Sequence, residues 1–193
     1  STHSNEMVRV SGLKHLRVIR ETSKFSSEIF DLSSFRNKFS EKLKKDKEKD
    51  DSIDTSILEN FFDWFFEIGF SEIVFADKVI LYEGDTERLY LRKLITLPFY
   101  KSLSEQYIAF IQVGGAYAYN YKRLIDFLKI KTLIITDLDY PKDALTDDII
   151  LASKSTNSTL NKFYKLSTNT KVDIKKLIEI KDSKIEKRDF TIQ

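Results

Sequence analysis

The chain has 193 residues, of which 41% are hydrophobic and 32% charged, and its formal net charge is +2. This apolar content is too high for a disordered chain. No apolar run approaches the roughly 20 residues that span a bilayer, and no signal-peptide layout is visible. These features predict a cytoplasmic protein without membrane contact. The absence of cysteine and the wide separation of the two histidines exclude a disulfide framework and a thiolate zinc site, and argue against a histidine zinc site.

The first 70 residues divide into a strand-bearing start and a longer connecting region. "HLRVIRE" alternates apolar and polar residues, which predicts a strand with Leu16 and Val18 on one face. Residues 22–52 carry weak amphipathic helical signals and end in "EKLKKDKEKDD", a mixed-charge run typical of an exposed helix end or a linker. "SILENFFDWFFEIGF" then places Ile57, Phe61, Trp64, Phe65 and Ile68 at helical spacing, and an aromatic stripe of this kind favours core packing.

From Val74 onward the pattern alternates between strands and helices. "KVILYEG", "YIAFIQVGG" and "KTLIITDLD" are predicted as strands, and the helices between them are "DTERLYLRKLI", with Asp85 or Thr86 near its N-cap, and "AYAYNYKRLIDFLKI". This β-α-β-α-β order predicts an α/β fold with a mostly parallel sheet and helices on its faces. Ligands of such sheets bind beyond the carboxyl ends of the strands.

Acidic residues follow two of these predicted strands. Glu83 comes directly after "VILY", and Asp137 and Asp139 close the third strand, where continued extended backbone would point both side chains to the same side. Glu87 lies one helical turn beyond Glu83 and is expected to face the same site as a second ligand or a base. Gathered carboxylates repel one another unless a cation neutralises them, and Mg²⁺ prefers such oxygen ligands. We therefore predict a Mg²⁺ or Mn²⁺ site at these four acids, with two ions serving phosphodiester chemistry and Thr136 bonding a metal-bound water or a phosphate.

The stretch from residue 151 onward is basic, with ten Lys or Arg residues against five acids. Such an excess of positive charge suits a polyanion, although a solvated lysine-rich surface has the same composition. If the polyanion is DNA, Lys162 and Lys165 in "STNSTLNKFYK" are the residues expected to contact its backbone.

"VILYEGDTE" and "LIITDLD" together resemble the TOPRIM domain, a Rossmann-like acidic fold shared by topoisomerases, primases and a group of nucleases; "VGG" at Val113 to Gly115 is similar as well. The longer segment "FADKVILYEGDTERLYL", with "VGGAYAY" and "KSTNSTLNKFYK", resembles the overcoming-lysogenization-defect (OLD) family of ATP-dependent nucleases, to which the Gabija defence nucleases belong. The resemblance covers about residues 1–21 and 71–165. It implies a Mg²⁺-dependent DNA endonuclease that acts against phage, forms a homo-oligomer when intact, and has a helicase-like defence partner.

"STHS" (Ser1 to Ser4) resembles the histidine switch loop of ABC-type ATPases, which in this family lies just before the TOPRIM domain. On that basis residues 1–21 would be the C-terminal end of an ATPase domain, residues 22–70 a helical connector, and residues 71–193 a TOPRIM nuclease domain that is incomplete at its C-terminus. His3 would then sense the γ-phosphate of ATP in a longer parent protein. Because no Walker A sequence is present, ATP would be a cofactor of the intact protein only.

Two other readings fit the same acids. A primase- or topoisomerase-type TOPRIM domain would use the same metals for polymerisation or strand passage, although no zinc element or second domain with a nucleophilic tyrosine is visible. A non-catalytic assembly module would hold a structural ion and use the aromatic helix at 57–68 as a subunit contact. The nuclease resemblance also implies a further acid and a catalytic lysine downstream, and none of Lys181, Lys184 and Lys187 can be matched to that lysine. The sequence therefore does not predict whether this chain cleaves DNA by itself.

Overall fold

The computed structural model describes residues 1–47, 60–65, 70–164, 171–179, 186–187 and 190–192. The chain divides into two units, Ser1–Phe75 and Ala76–Gln193. In the described ranges, no helix combines the length and the apolar character that crossing a membrane requires. The domain bounds expected at residues 21 and 70, and the assignment of residues 1–21 to an ATPase domain, stay predictions.

The first unit contains a β-hairpin with helices before and after it. In chain order its elements are α1 (Asn5–Ser11), a 3₁₀ turn (Leu13–His15), β1 (Arg17–Ser23), β2 (Ser26–Asp31), α2 (Leu32–Lys47), the helical residues 60–65 (α3) and a second 3₁₀ helix (Phe70–Val74). Helix α1 begins after Ser4, whose hydroxyl accepts a hydrogen bond from the backbone N–H of Met7 at 3.4 Å.

Strand β2 corrects the expectation of a helical connector from residue 22. The spacing of Ile29, Leu32 and Phe35 suits a helix, but Ile29 belongs to a strand that pairs antiparallel with β1, and α2 begins only at Leu32. Burial in β2 has a period of two, since Ile29 is exposed and Phe30 is buried. The carboxylate of Asp31 accepts a hydrogen bond from the N–H of Ser33 at 3.0 Å, which defines where the helix starts.

Aromatic side chains of α2 and α3 form much of the core of the first unit. Phe62 packs edge-on against Phe35 and Phe39, with ring centroids 5.2 and 5.0 Å apart. Phe62 and Phe65 are buried, whereas Trp64 is 49% exposed, so the expected aromatic stripe is core packing through Phe62 rather than through Trp64. The ends of the predicted stripe, including residues 57 and 68, lie outside the described residues.

The second unit is a five-stranded sheet with helices in the connections. Its elements are β3 (Lys78–Tyr82), α4 (Asp85–Leu94), a 3₁₀ turn (Pro98–Tyr100), α5 (Lys101–Ser104), β4 (Ile108–Gln112), a 3₁₀ helix (Gly115–Tyr121), α6 (Lys122–Leu128), β5 (Lys131–Ile134), α7 (Asp147–Ala152), α8 (Ser158–Phe163), α9 (Ile174–Glu179), β6 (Glu186–Lys187) and β7 (Phe190–Ile192). The strand order is β4-β3-β5-β7-β6.

Most of this sheet is parallel, and β3 is one of its interior strands. Strand β3 pairs in parallel with β4 on one side and with β5 on the other. Strand β5 pairs in parallel with β7, and β6 runs antiparallel to β7. Residues 79–82 are all buried, because a central parallel strand is covered on both faces and is therefore a continuous apolar run. The predicted α/β fold, a mostly parallel Rossmann-like sheet flanked by helices, is confirmed.

Candidate metal centre

The carboxyl ends of β3 and β5 lie side by side, and Glu83 joins them. The two chains stay in register beyond β5 because the N–H of Ile135 donates to the carbonyl of Leu81 at 2.9 Å. The Oε1 atom of Glu83 accepts two hydrogen bonds across this edge, one from the hydroxyl of Thr136 and one from the backbone N–H of Asp137 at 3.1 Å. The parallel register thus brings the first predicted acid against the loop that carries the other two.

Asn157, a buried residue outside the two strands, holds this acidic loop. Its side chain is 1% exposed, and Nδ2 lies 2.8 Å from Oγ1 of Thr136, 3.1 Å from the carbonyl oxygen of Asp137 and 2.9 Å from Oδ2 of Asp139. The amide therefore donates to the residue that bonds Glu83 and to the second aspartate of the pair. Asn157 thus bonds directly to Asp137 and Asp139 and is linked to Glu83 through Thr136, whereas, among the described residues, Glu87 is outside this network.

The segment around Asn157 also satisfies the backbone of the acidic loop. Three successive carbonyls accept hydrogen bonds from it: Asp137 from Asn157 Nδ2, Leu138 from the Ser155 hydroxyl, and Asp139 from the Thr156 N–H at 2.8 Å. Oδ1 of Asn157 faces the other way and accepts from the first backbone N–H groups of α8, so Asn157 is the N-cap of that helix. The start of α8 and the acidic loop are therefore one hydrogen-bonded structure.

Asp139 corrects the expected geometry of the aspartate pair. Extended backbone through Leu138 would place both side chains on one side by alternation, but β5 ends at Ile134 and Asp139 has a φ of +42°. Few non-glycine residues adopt a left-handed backbone, and aspartate is among those that do so most readily. Here the bonds from Thr156 and Asn157 stabilise it. The loop and α8, rather than the alternation of a strand, position the second carboxylate.

Glu87 lies beside the turn that follows Glu83. Gly84 is the N-cap of α4, and a Cβ atom built on it would stand 2.9 Å from Oε2 of Glu87. The carboxylate of Glu87 is therefore folded back over Gly84, the residue next to Glu83. Glu87 is in the first turn of α4, where the helix dipole favours negative charge. Asp85 and Thr86 follow Gly84 as the first residues of the helix.

Replacing Gly84 with alanine tests whether Glu87 belongs to the centre. The new methyl group must displace the Glu87 carboxylate, so we expect Gly84→Ala to weaken Mn²⁺ binding several-fold in calorimetric titration. The backbone at Gly84 is extended (φ −128°), so the free energy of unfolding should fall by less than about 1 kcal/mol from the poorer cap. In a Glu87→Gln background the same change should cause no further loss of affinity, and an additional loss there would contradict this role.

The donor set of this edge suits a hydrated hard cation. Within the described part of the chain, none of the carboxylates of Glu83, Glu87, Asp137 and Asp139 forms an ion pair with Lys or Arg. Nor do three acidic or histidine side chains among the described residues come close enough to enclose an ion by themselves. Mg²⁺ uses one or two carboxylates and keeps several waters, so the exposed aspartates and the partly exposed glutamates fit it without a complete protein cage.

His3 belongs to the first unit and lies apart from the strand-end acids in the chain. It is exposed, its ring centroid is 6.0 Å from that of Phe75, and it lines a cleft of about 920 Å³ together with Lys14, His15 and Arg17. Its role as a sensor of ATP stays a prediction.

The two lysines expected at DNA differ in what the structure describes. Lys162 lies on α8 about 7.5 Å along the helix axis from Asn157, and its ammonium is 5.7 Å from the centre of the Tyr119 ring. Lys165 lies outside the described residues.

Sequence reasoning missed Asn157. The local signal was present, because an asparagine directly before a short amphipathic segment is a common N-cap. It predicts only the acceptor side of the amide, however, and the partners of its donor side lie 18 to 21 residues earlier in the chain.

Comparison with known proteins finds similarity in the part of the chain that contains the strand-end acids. Residues 74–139 match the family described as overcoming lysogenization defect protein-like, TOPRIM domain. Endonuclease GajA from Bacillus cereus (strain HuB5-5) is 38% identical over 73 residues, a stretch that is 38% of this chain and 10% of that protein. No solved structure matches the chain. Residues 74–139 are therefore similar to OLD-like TOPRIM domains, and the resemblance seen in the sequence is confirmed for this segment.

Proposed function

We propose that this chain supplies the metal-dependent endonuclease module of an OLD-type, ATP-regulated nuclease that cleaves DNA and acts against phage. The observation that carries the proposal is the joining of Glu83, Asp137 and Asp139 into one hydrogen-bonded edge of a TOPRIM sheet. The similarity to a protein named as an endonuclease supports the reaction class, and DNA as the substrate.

Glu83, Glu87, Asp137 and Asp139 are the residues that would hold Mg²⁺ or Mn²⁺, with two ions in the loaded site. When bound, such ions activate a water and stabilise the leaving oxygen of a phosphodiester. Both lone pairs of Glu83 Oε1 are taken by donors within the chain, so Oε2 is the oxygen left for a cation. Glu87 has no comparable anchor among the described hydrogen bonds, and its carboxylate would serve as a second ligand or as a base.

Further parts of the proposal concern the intact protein. ATP would regulate it, with His3 sensing the γ-phosphate, and the protein would be a cytoplasmic homo-oligomer with a helicase-like defence partner. The "STHS" sequence and the family resemblance support these proposals.

The reaction class is tested with the full reading frame that contains this segment, supplied with Mn²⁺ or Mg²⁺ and supercoiled plasmid. Metal-dependent nicking is the expected result. Nucleotide incorporation would instead indicate a primase-type domain, and covalent attachment to DNA a topoisomerase-type one. Metal binding with none of these activities would indicate an assembly module and contradict the nuclease proposal.

DNA binding should depend on the basic residues of the second unit. We expect a labelled duplex to bind weakly, without sequence preference, and less tightly as salt increases. Replacing both Lys162 and Lys165 with alanine should reduce the slope of log affinity against log salt by roughly one to two units, measured by fluorescence anisotropy. Lys101→Ala is a control that removes one charge and should leave the slope unchanged, because this exposed lysine precedes the amino end of β4 and the acids follow the carboxyl ends of their strands. Salt-independent binding would contradict the electrostatic account.

A further inference from the structure

The amide of Asn157 has more partners than it has hydrogens. Nδ2 carries two N–H groups, yet three acceptors lie within 3.1 Å of it, on Thr136, Asp137 and Asp139. Because the side chain is 1% exposed, water cannot readily replace the amide if it is removed. The acidic loop is therefore gathered around a single buried donor.

The two ends of this side chain have separate tasks. Capping α8 needs only an acceptor, and serine caps helices about as well as asparagine. Hydrogen bonding to Thr136 and Asp139 requires an N–H donor at the end of a side chain as long as that of asparagine. Serine is too short to reach them, so a cap-preserving replacement separates the two tasks.

The donor end links the two sides of the candidate metal centre. Asn157 donates to Thr136, whose hydroxyl in turn donates to Glu83, and the same amide donates to Asp139. The carboxylates of Glu83 and Asp139 repel each other, and the left-handed backbone conformation of Asp139 is unfavourable. The buried, neutral amide of Asn157 opposes this repulsion and stabilises the Asp139 backbone before a cation binds.

We propose that Asn157 is a positioning residue of the divalent-metal centre, which holds Asp139 and the Thr136–Glu83 pair in the arrangement that receives the cation. This inference rests on the proposed metal-dependent function. It places a determinant of metal affinity beyond the segment that matches the TOPRIM family, in a helix cap that none of the strand-end acids would reveal.

The test compares three variants of the 193-residue chain by calorimetric titration with Mn²⁺ and by thermal unfolding without metal. Asn157→Ser keeps the cap and removes the amide, Asn157→Ala removes both, and Thr146→Ala removes the cap of α7 without touching the acids. Both Asn157 variants should lose at least about tenfold in Mn²⁺ affinity. Asn157→Ser should unfold at a higher temperature than Asn157→Ala, and Thr146→Ala should bind Mn²⁺ as the unchanged chain does.

Two failures can be told apart. Binding of Mn²⁺ by Asn157→Ser with unchanged affinity would overturn the positioning role and leave the metal centre intact. No Mn²⁺ binding by the unchanged chain would overturn the metal centre, and the positioning role with it. A second readout detects the loop itself: hydrogen exchange at the N–H of Asp137 should be faster in Asn157→Ser than in Thr146→Ala. Equal exchange in these two variants would also overturn the role.

Discussion

Replacing Asp137 and Asp139 together with alanine is expected to abolish Mn²⁺ binding by the chain in calorimetric titration. The change removes two negative charges from the sheet edge, and it also removes the carboxylate that the Asn157 amide holds in place. The remaining acids would be Glu83, with one of its two oxygens engaged by hydrogen bonds, and Glu87. These carboxylates offer too few oxygen ligands to bind a hydrated divalent ion tightly.

The matched control is a double replacement of Asp147 and Asp148 with alanine. These aspartates are exposed in the first turn of α7, so the change in net charge is identical while the acidic loop is untouched. Mn²⁺ affinity should be kept in this control. Equal affinities in the two double variants would mean that the bound ion responds to overall charge and that no site exists at the strand ends.

Leu81→Ala is expected to produce a large loss of stability in the second unit. Leu81 is fully buried in β3, an interior strand, and its register partners Ile111 and Ile134 on the neighbouring strands are fully buried as well. Deleting a buried leucine side chain costs about 2–5 kcal/mol, through lost apolar burial and the cavity that remains. Because a domain is stable by only about 5–15 kcal/mol, the urea unfolding midpoint should fall markedly.

Leu89→Ala provides the comparison for that measurement. Leu89 is 71% exposed on α4, so its replacement should change the free energy of unfolding by no more than about 0.5 kcal/mol. A loss for Leu81→Ala as small as that for Leu89→Ala would contradict the placement of β3 in the interior of the sheet.

The sheet and the acidic strand ends could be predicted because their signals are local. Strands buried on both faces are short apolar runs bounded by polar residues, and "KVILYEG" and "KTLIITDLD" show this pattern clearly. Parallel pairing then follows from the helices between them, and it places Glu83 near Asp137 without further information.

The parts that could not be predicted depend on distant partners. Strand β2 has residues that also fit a helix, and only its pairing with β1 decides between the two. The left-handed backbone of Asp139 depends on Thr156 and Asn157, which lie almost twenty residues later in the chain. A pattern read over a short window contains no information on such contacts, and so the alternation argument does not apply to the second aspartate.

The same limit explains how α8 was interpreted. Charge favours Lys162 and Lys165 as functional residues in the sequence, whereas the residue that the structure connects to the acids is the neutral Asn157 at the N-terminus of α8. Lys162 is on the same helix, with its ammonium near the Tyr119 ring. Whether it contacts DNA is decided by the salt dependence described above.

The central claim is that the strand-end acids form a divalent-metal nuclease centre, and the most direct test is plasmid nicking by the intact protein that contains this segment. Glu83→Gln is the sharpest variant, because glutamine keeps the size of the side chain and an oxygen that can accept from Thr136 and Asp137. The account predicts nicking that requires Mn²⁺ or Mg²⁺ and that falls on the order of a hundredfold or more in Glu83→Gln, with unfolding unchanged. Nicking by Glu83→Gln at the rate of the unchanged protein would contradict it.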